Sequence, residues 1–223
     1  MLIADSDLTL ELALSGSAGG LLIGYHLIHL LEVRYWPART SLGRNNRARA
    51  RWASHVMARG ADILAVQTLR NWTMAATFLA STAIVIGLGI LSFALTYEGL
   101  DQLNNIFHLA GIRSHKLAVI KALLIVLVFL IAFVSFSLCV RFYNHAAFLL
   151  NLPRDDQSDD QTLVLDADAA IRALSRGASA YNLGMRCYYV AIPLALWLLG
   201  PIWFLAGALV MTMLIYRLDH GLG

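Results

Sequence analysis

Charge is scarce in this chain. Asp, Glu, Lys and Arg make up only 14% of its 223 residues, against roughly 25% in soluble domains. A polar surface able to enclose so much apolar material cannot be built from so few charges. Lysine is nearly missing, occurring only as Lys116 and Lys121, so the net charge of +3 rests on Arg beside hydrophobic stretches. That placement points to membrane phosphates rather than nucleic acid as the counter-charge. The two cysteines, Cys139 and Cys187, make neither a disulfide framework nor a CxxC metal motif and read as reduced bystanders. No Lys or Arg precedes the first apolar block, whose flank carries Asp5, Asp7 and Glu11. A cleavable signal peptide needs a basic start, so this block is expected to be retained as a span. The P-loop, the dinucleotide fingerprint, the GxSxG elbow and HExxH are all missing, so no complete catalytic motif exists and the reading leans away from an enzyme. Internal repeats are missing too, which gives the inverted-repeat logic of transporters no support.

What the chain does have is long apolar blocks. Four of them, at about 12–31, 72–97, 117–140 and 187–216, are long enough to cross about 30 Å of hydrocarbon. The fold class is therefore all-α: one integral membrane domain built as a bundle of four transmembrane helices. Small residues in the SGSAGG stretch, Ser15 to Gly20, are expected to face other helices. The connections 32–71 and 141–186 hold thirteen Arg, against four basic residues elsewhere. By the positive-inside rule these connections are cytoplasmic, in the inner (plasma) membrane, and both chain ends lie outside the cytoplasm. Trp36, Trp52, Trp72, Tyr143, Tyr188 and Tyr189 then gather at the inner interface as an aromatic belt.

The first cytoplasmic connection has helical periodicity. After Asn45 or Asn46, either a suitable N-cap, Arg47, Arg51, His55, Arg59 and Asp62 share one face and Trp52, Val56 and Ile63 another. The pattern predicts an amphipathic helix on the inner leaflet; the alternative is a helix packed on the second cytoplasmic segment. That segment opens with the acidic linker PRDDQSDDQ, whose Asp residues either meet the Arg face or stay solvated, and regains helical spacing near Ala167 to Ser175.

Polar residues cluster at one depth, the cytoplasmic boundary. Gln67, Arg70 and Asn71 share a helix face, as do Arg141, Asn144 and His145, then Asn182, Arg186 and Tyr189, and finally His26, His29 and Glu32. If these stripes converge, they form a cationic pocket rimmed by amides, suited to a lipid headgroup, an anionic metabolite or a quinone head. If they do not, each Arg snorkels to phosphates and each Asn caps or cross-links helices. His26, His29 and His145 also raise the possibility of haem or a metal, although their spacing matches no specific ligand motif. His108, His115 and His220 are expected on the opposite side.

The segments GYHLIHLL, SLGRNNRARARW, AVQTLRN, SLCVRFYNHAAFLLN, SRGASAYNLGMRCYYVAIPLALWLLGP and the late YRLD resemble those of the family known as domain of unknown function 599, found in bacteria and plants. The likeness runs from about Gly24 to Asp219 and implies a multi-spanning membrane protein. It implies no reaction and carries over no catalytic residues. Three functions remain open from the sequence: an oligomeric binding, structural or accessory component of the membrane with an anion or lipid-headgroup site, acting alone or within a membrane complex; a haem- or metal-binding redox protein; and an oligomeric channel or carrier. Membrane lipids are the expected partners in each case.

Overall fold

The computed structural model describes residues 2–59, 63–96, 115–152 and 160–221. Among these residues there are six α-helices and no strand: α1 (Leu2–Tyr35), α2 (Ser41–Arg59), α3 (Ile63–Leu95), α4 (His115–Leu150), α5 (Asp160–Trp197) and α6 (Pro201–His220), with one 3₁₀ turn at Pro37–Arg39. Four of them, α1, α3, α4 and α6, are long and apolar enough to cross a membrane. The helices stand in a row, α3 against α4, α4 against α5, α5 against α6, and α6 against α1. The chain is therefore an all-α membrane bundle, as its apolar blocks require.

Alternating sizes hold the row together. On α5, Ala170, Gly177, Gly184 and Ala191 recur every seven residues and are buried; on α4, Phe129, Phe136, Tyr143 and Leu150 do the same. A seven-residue repeat keeps one seam facing its neighbour along the whole contact. Here small residues meet large ones. A Cβ added to Gly184 would come within 2.7 Å of the Phe136 ring, and one added to Gly177 within 2.7 Å of the Tyr143 ring. On α3, Leu69, Ala76 and Ala83, and likewise Ala80, Gly87 and Ala94, repeat the spacing toward α4. Tyr188 of α5 reaches across to donate to the Leu79 carbonyl of α3 at 2.8 Å.

The apolar stretch 187–216 is not one helix. Helix α5 ends at Trp197, Leu198 to Gly200 tighten into i→i−3 hydrogen bonds, and α6 begins at Pro201. Gly200 has φ 143°, which L side chains rarely adopt, and Pro201 starts the new helix with its fixed φ and missing N–H. The two helices then run antiparallel, so closely that a Cβ on Gly207 would lie 3.2 Å from Pro193 Cα. The second half of α5 accordingly lies beside α4 at the depth of the spans, although Asn182 and Arg186 keep it more polar than they are.

The hairpin also corrects the expected placement of the C-terminal residues. Helix α6 runs parallel to α1, so His220 Nε2 sits 3.2 Å from Glu32, at the end of the bundle where α1 finishes. A single fourth crossing would have left residue 220 with the start of α1, and both ends on one side. The geometry excludes this, and it also brings Arg217 and His220 to the Arg-rich end. The opposite end is tied by buried Glu11 and Lys121, 3.4 Å apart, with Lys121 over the Trp197 ring and Trp197 Nε1 donating to Ser15 at 3.0 Å.

Two more expectations change. Helix α2 begins at Ser41, where buried Thr40 caps it by accepting the Gly43 N–H, and its Ala53 and Val56 are buried where it packs mainly on α5. The packed alternative therefore describes it. Arg47, Arg51 and His55 stay exposed; Asp62, the Arg59 side chain and most of the acidic linker lie outside the described residues. The SGSAGG stretch packs through Ser15 and Ala18, while a Cβ at Gly16, Gly19 or Gly20 would meet nothing within 4 Å. Its glycines do not face other helices of the chain.

The seam gives a paired test. Gly184→Ala should lower thermal stability in detergent by about 1–3 kcal/mol through overpacking against Phe136. Gly89→Ala, whose Cβ meets nothing within 4 Å, should be neutral or slightly stabilising. Equal melting shifts for the two variants would refute the size-matched seam.

Candidate functional site

The end of the bundle where α1 and α6 finish contains a buried charge network. Arg186, on α5, is only 7% exposed. An arginine at span depth needs a partner, and the hairpin supplies Asp219 from α6. Arg186 Nη2 donates to both Asp219 oxygens, at 2.7 and 2.6 Å. Tyr25 of α1 donates its hydroxyl to Asp219 Oδ2 at 2.5 Å, and His29 Nδ1 lies 3.3 Å from the same oxygen without hydrogen-bond alignment. Ser41, the first residue of α2, places its hydroxyl 2.9 Å from the carbonyls of Leu218 and Asp219. Three helices thus meet at one carboxylate, and the start of α2 is held on the main chain beside it.

The network leaves donors over. Arg186 Nε and Nη1 are buried and have no hydrogen-bond partner among the described residues. Arg186 lines a cavity of about 280 Å³ whose polar lining also includes Asn45 and Arg49 from α2, Tyr181, Asn182 and Tyr189 from α5, and Asp219. Two guanidiniums face one carboxylate there, so the cavity is cationic. Arg49 also lines a second cavity of about 270 Å³, together with Trp72, Ala75, Tyr143 and Tyr181. Its Nη1 donates to Asn46 at 2.6 Å. Burial draws its guanidinium below the ordinary value, yet an arginine remains charged near neutrality.

The residues singled out in the sequence divide into two groups. Asn182, Arg186 and Tyr189 line the first cavity. On α1, His29 Nδ1 lies 3.3 Å from Asp219, Glu32 is 3.2 Å from His220 Nε2, and half-buried His26 places Nδ1 2.7 Å from the Leu22 carbonyl; none of the three lines the cavity. Gln67, Arg70 and Asn71 on α3, and Arg141, Asn144 and His145 on α4, are exposed and line neither cavity. The four stripes therefore do not converge as one. Among the described residues no three His, Cys, Asp or Glu side chains are grouped to hold a metal, so His145 does not join His26 and His29. Both cysteines are free.

Arg49, Asp219, Tyr25 and Tyr181 escaped the sequence reading, although two of them carried a signal. Arg49 shares the i, i+4, i+7 face of Ala53 and Val56, the buried side of α2, so its charge stood on the wrong face for a solvated helix. Asp219 is the only acidic residue after Asp168, which makes it the one carboxylate in the sequence beyond Arg186.

The family model described as Protein of unknown function, DUF599, matches residues 15–221. The chain belongs to that family. No curated protein and no solved structure matches it.

Because one partner neutralises the other, Asp219→Asn alone should destabilise the bundle by about 3–5 kcal/mol, leaving the Arg186 charge buried without its counter-ion. The double variant Arg186→Met, Asp219→Asn should recover much of that loss. Additive losses in a double-mutant cycle of thermal stability would show that the pair is not coupled.

Proposed function

We propose that this member of the family is a membrane-embedded binding protein whose Arg-rich end holds a phosphate or carboxylate group between Arg49 and Arg186. The observation that carries this reading is the pair of unpartnered donors, Nε and Nη1, on a guanidinium that is almost wholly buried beside a cavity. A buried donor without an acceptor is destabilising by about 1–3 kcal/mol, and an oxyanion accepting from both removes that penalty. The planar fork of Arg fits such an anion in two-point geometry. Arg49 adds the second positive charge, while Asn45, Asn182 and Tyr189 add neutral partners around the rim.

The purified full chain should be stabilised by inorganic phosphate relative to chloride at equal ionic strength, because a ligand that binds only the folded state raises its melting temperature. Arg49→Gln and Asn182→Ala should each shrink that increment. Identical increments in wild type and both variants would rule out this cavity as the anion site.

We place the Arg-rich end on the cytoplasmic side of the plasma membrane. With α6 returning to that end, Arg217 joins the basic connections there, so the excess of Arg over the opposite end grows. A fluorescent protein fused after Gly221 should fold and fluoresce in the cytoplasm, and a periplasmic phosphatase fused at the same position should be inactive. The reverse pattern would invert the orientation.

A further inference from the structure

Two cavities meet at one arginine, and their chemistries differ. The first, between α2, α5 and the end of α6, is cationic and carries the anion site on which this inference rests. The second is lined by two aromatic rings and a methyl group, from Trp72, Tyr143 and Ala75, besides the shared Arg49 and Tyr181. Trp52, Trp72 and Tyr143 form a continuous chain of ring contacts, with centroids 5.9 and 5.5 Å apart, so the aromatic wall is well buttressed. Each cavity is a little under the roughly 300 Å³ at which small-molecule sites begin, and Arg49 and Tyr181 form the wall they share, so one elongated molecule that displaces the Arg49 side chain can occupy both.

The second cavity lies at the depth of the spans. Trp72 and Ala75 fall within the apolar helix Ile63–Leu95. Ala75 is exposed, and its neighbours Met74 and Phe78 stand 63% and 73% exposed on the outer face of α3. Ala75 both lines the cavity and stands on this apolar outer face, so the cavity reaches the side of the bundle that a spanning α3 turns to lipid. A soluble anion has no use for such an opening. A molecule with a charged head and an alkyl chain uses both parts: the head accepts from Arg49 and Arg186, and the chain leaves past Trp72 over the small side chain of Ala75.

We infer that the occupant is an anionic amphiphile, a phospholipid or lipid phosphate that enters laterally from the bilayer, and that Arg49 is the residue joining its headgroup site to its chain site. The two guanidiniums against a single carboxylate select an anionic headgroup over a zwitterionic one. The methyl side chain of Ala75 keeps the lateral opening clear.

The full chain reconstituted in phosphatidylcholine vesicles tests this with lipids whose acyl chains carry bromine, which quenches indole emission on contact. Brominated phosphatidylglycerol should quench more strongly than phosphatidylcholine brominated in the same way, and Trp72→Phe should remove the difference. Arg49→Gln should weaken the preference roughly tenfold, the effect of losing one charged hydrogen bond. Ala75→Phe should narrow the opening and abolish the preference as well. If both brominated lipids quench equally while stabilisation by inorganic phosphate still depends on Arg49, the anion site stands and the amphiphile is overturned. If neither phosphate nor lipid responds to Arg49→Gln, both readings fall.

Discussion

A single ion pair organises the Arg-rich end of this protein. Arg186 sits on a helix packed at the depth of the spans, where an uncompensated charge is expensive, and its counter-ion Asp219 stands at the far end of the next helix. Only an antiparallel return of α6 brings the two together. Once α6 returns, Tyr25 and His29 of α1 come beside Asp219, and Ser41 anchors the start of α2 on the last carbonyls of α6. The seating of α2 against α5 and the end of α6 is therefore tied to the same pairing that makes an arginine tolerable on α5.

The rest of the bundle supplies rigidity. Glycines on α5 receive the rings of Phe136 and Tyr143, which locks α4 and α5 in register and fixes the positions of Tyr181, Asn182 and Arg186 along the bundle. Packing of this sort depends on close fit rather than on water exclusion, because lipid tails are as apolar as the helix surfaces they would replace. The cavities at the Arg-rich end arise where this regular seam gives way to α2, whose helix lies outside the seven-residue pattern.

Much of the fold is legible in the sequence, because four long apolar blocks leave little choice but a helical membrane bundle. The break at Leu198 to Gly200 is harder to see. The stretch 187–216 is apolar throughout, and only the Gly-Pro pair at Gly200 and Pro201 marks the turn. Reading through it displaces the last helix to the wrong end and hides Asp219 from Arg186. The site is legible in part: Asn182, Arg186 and Tyr189 are recovered from helical spacing. The stripes on α3 and α4 have the same spacing yet face outward, since periodicity shows which residues share a face and not which face is buried. Arg49 is missed for the complementary reason, being a charge on the buried side of a strongly basic helix.

The distance of 33 positions along the chain from Arg186 to Asp219 has a bearing on how the chain enters its membrane. A ribosome that has just made Trp197 has produced a segment whose arginine still lacks its acid. Alone, that segment favours the headgroup layer, where water and phosphates serve the guanidinium. The pairing lowers the cost of its passage inward once the following hairpin arm has emerged, which favours insertion of α5 and α6 together over insertion in succession.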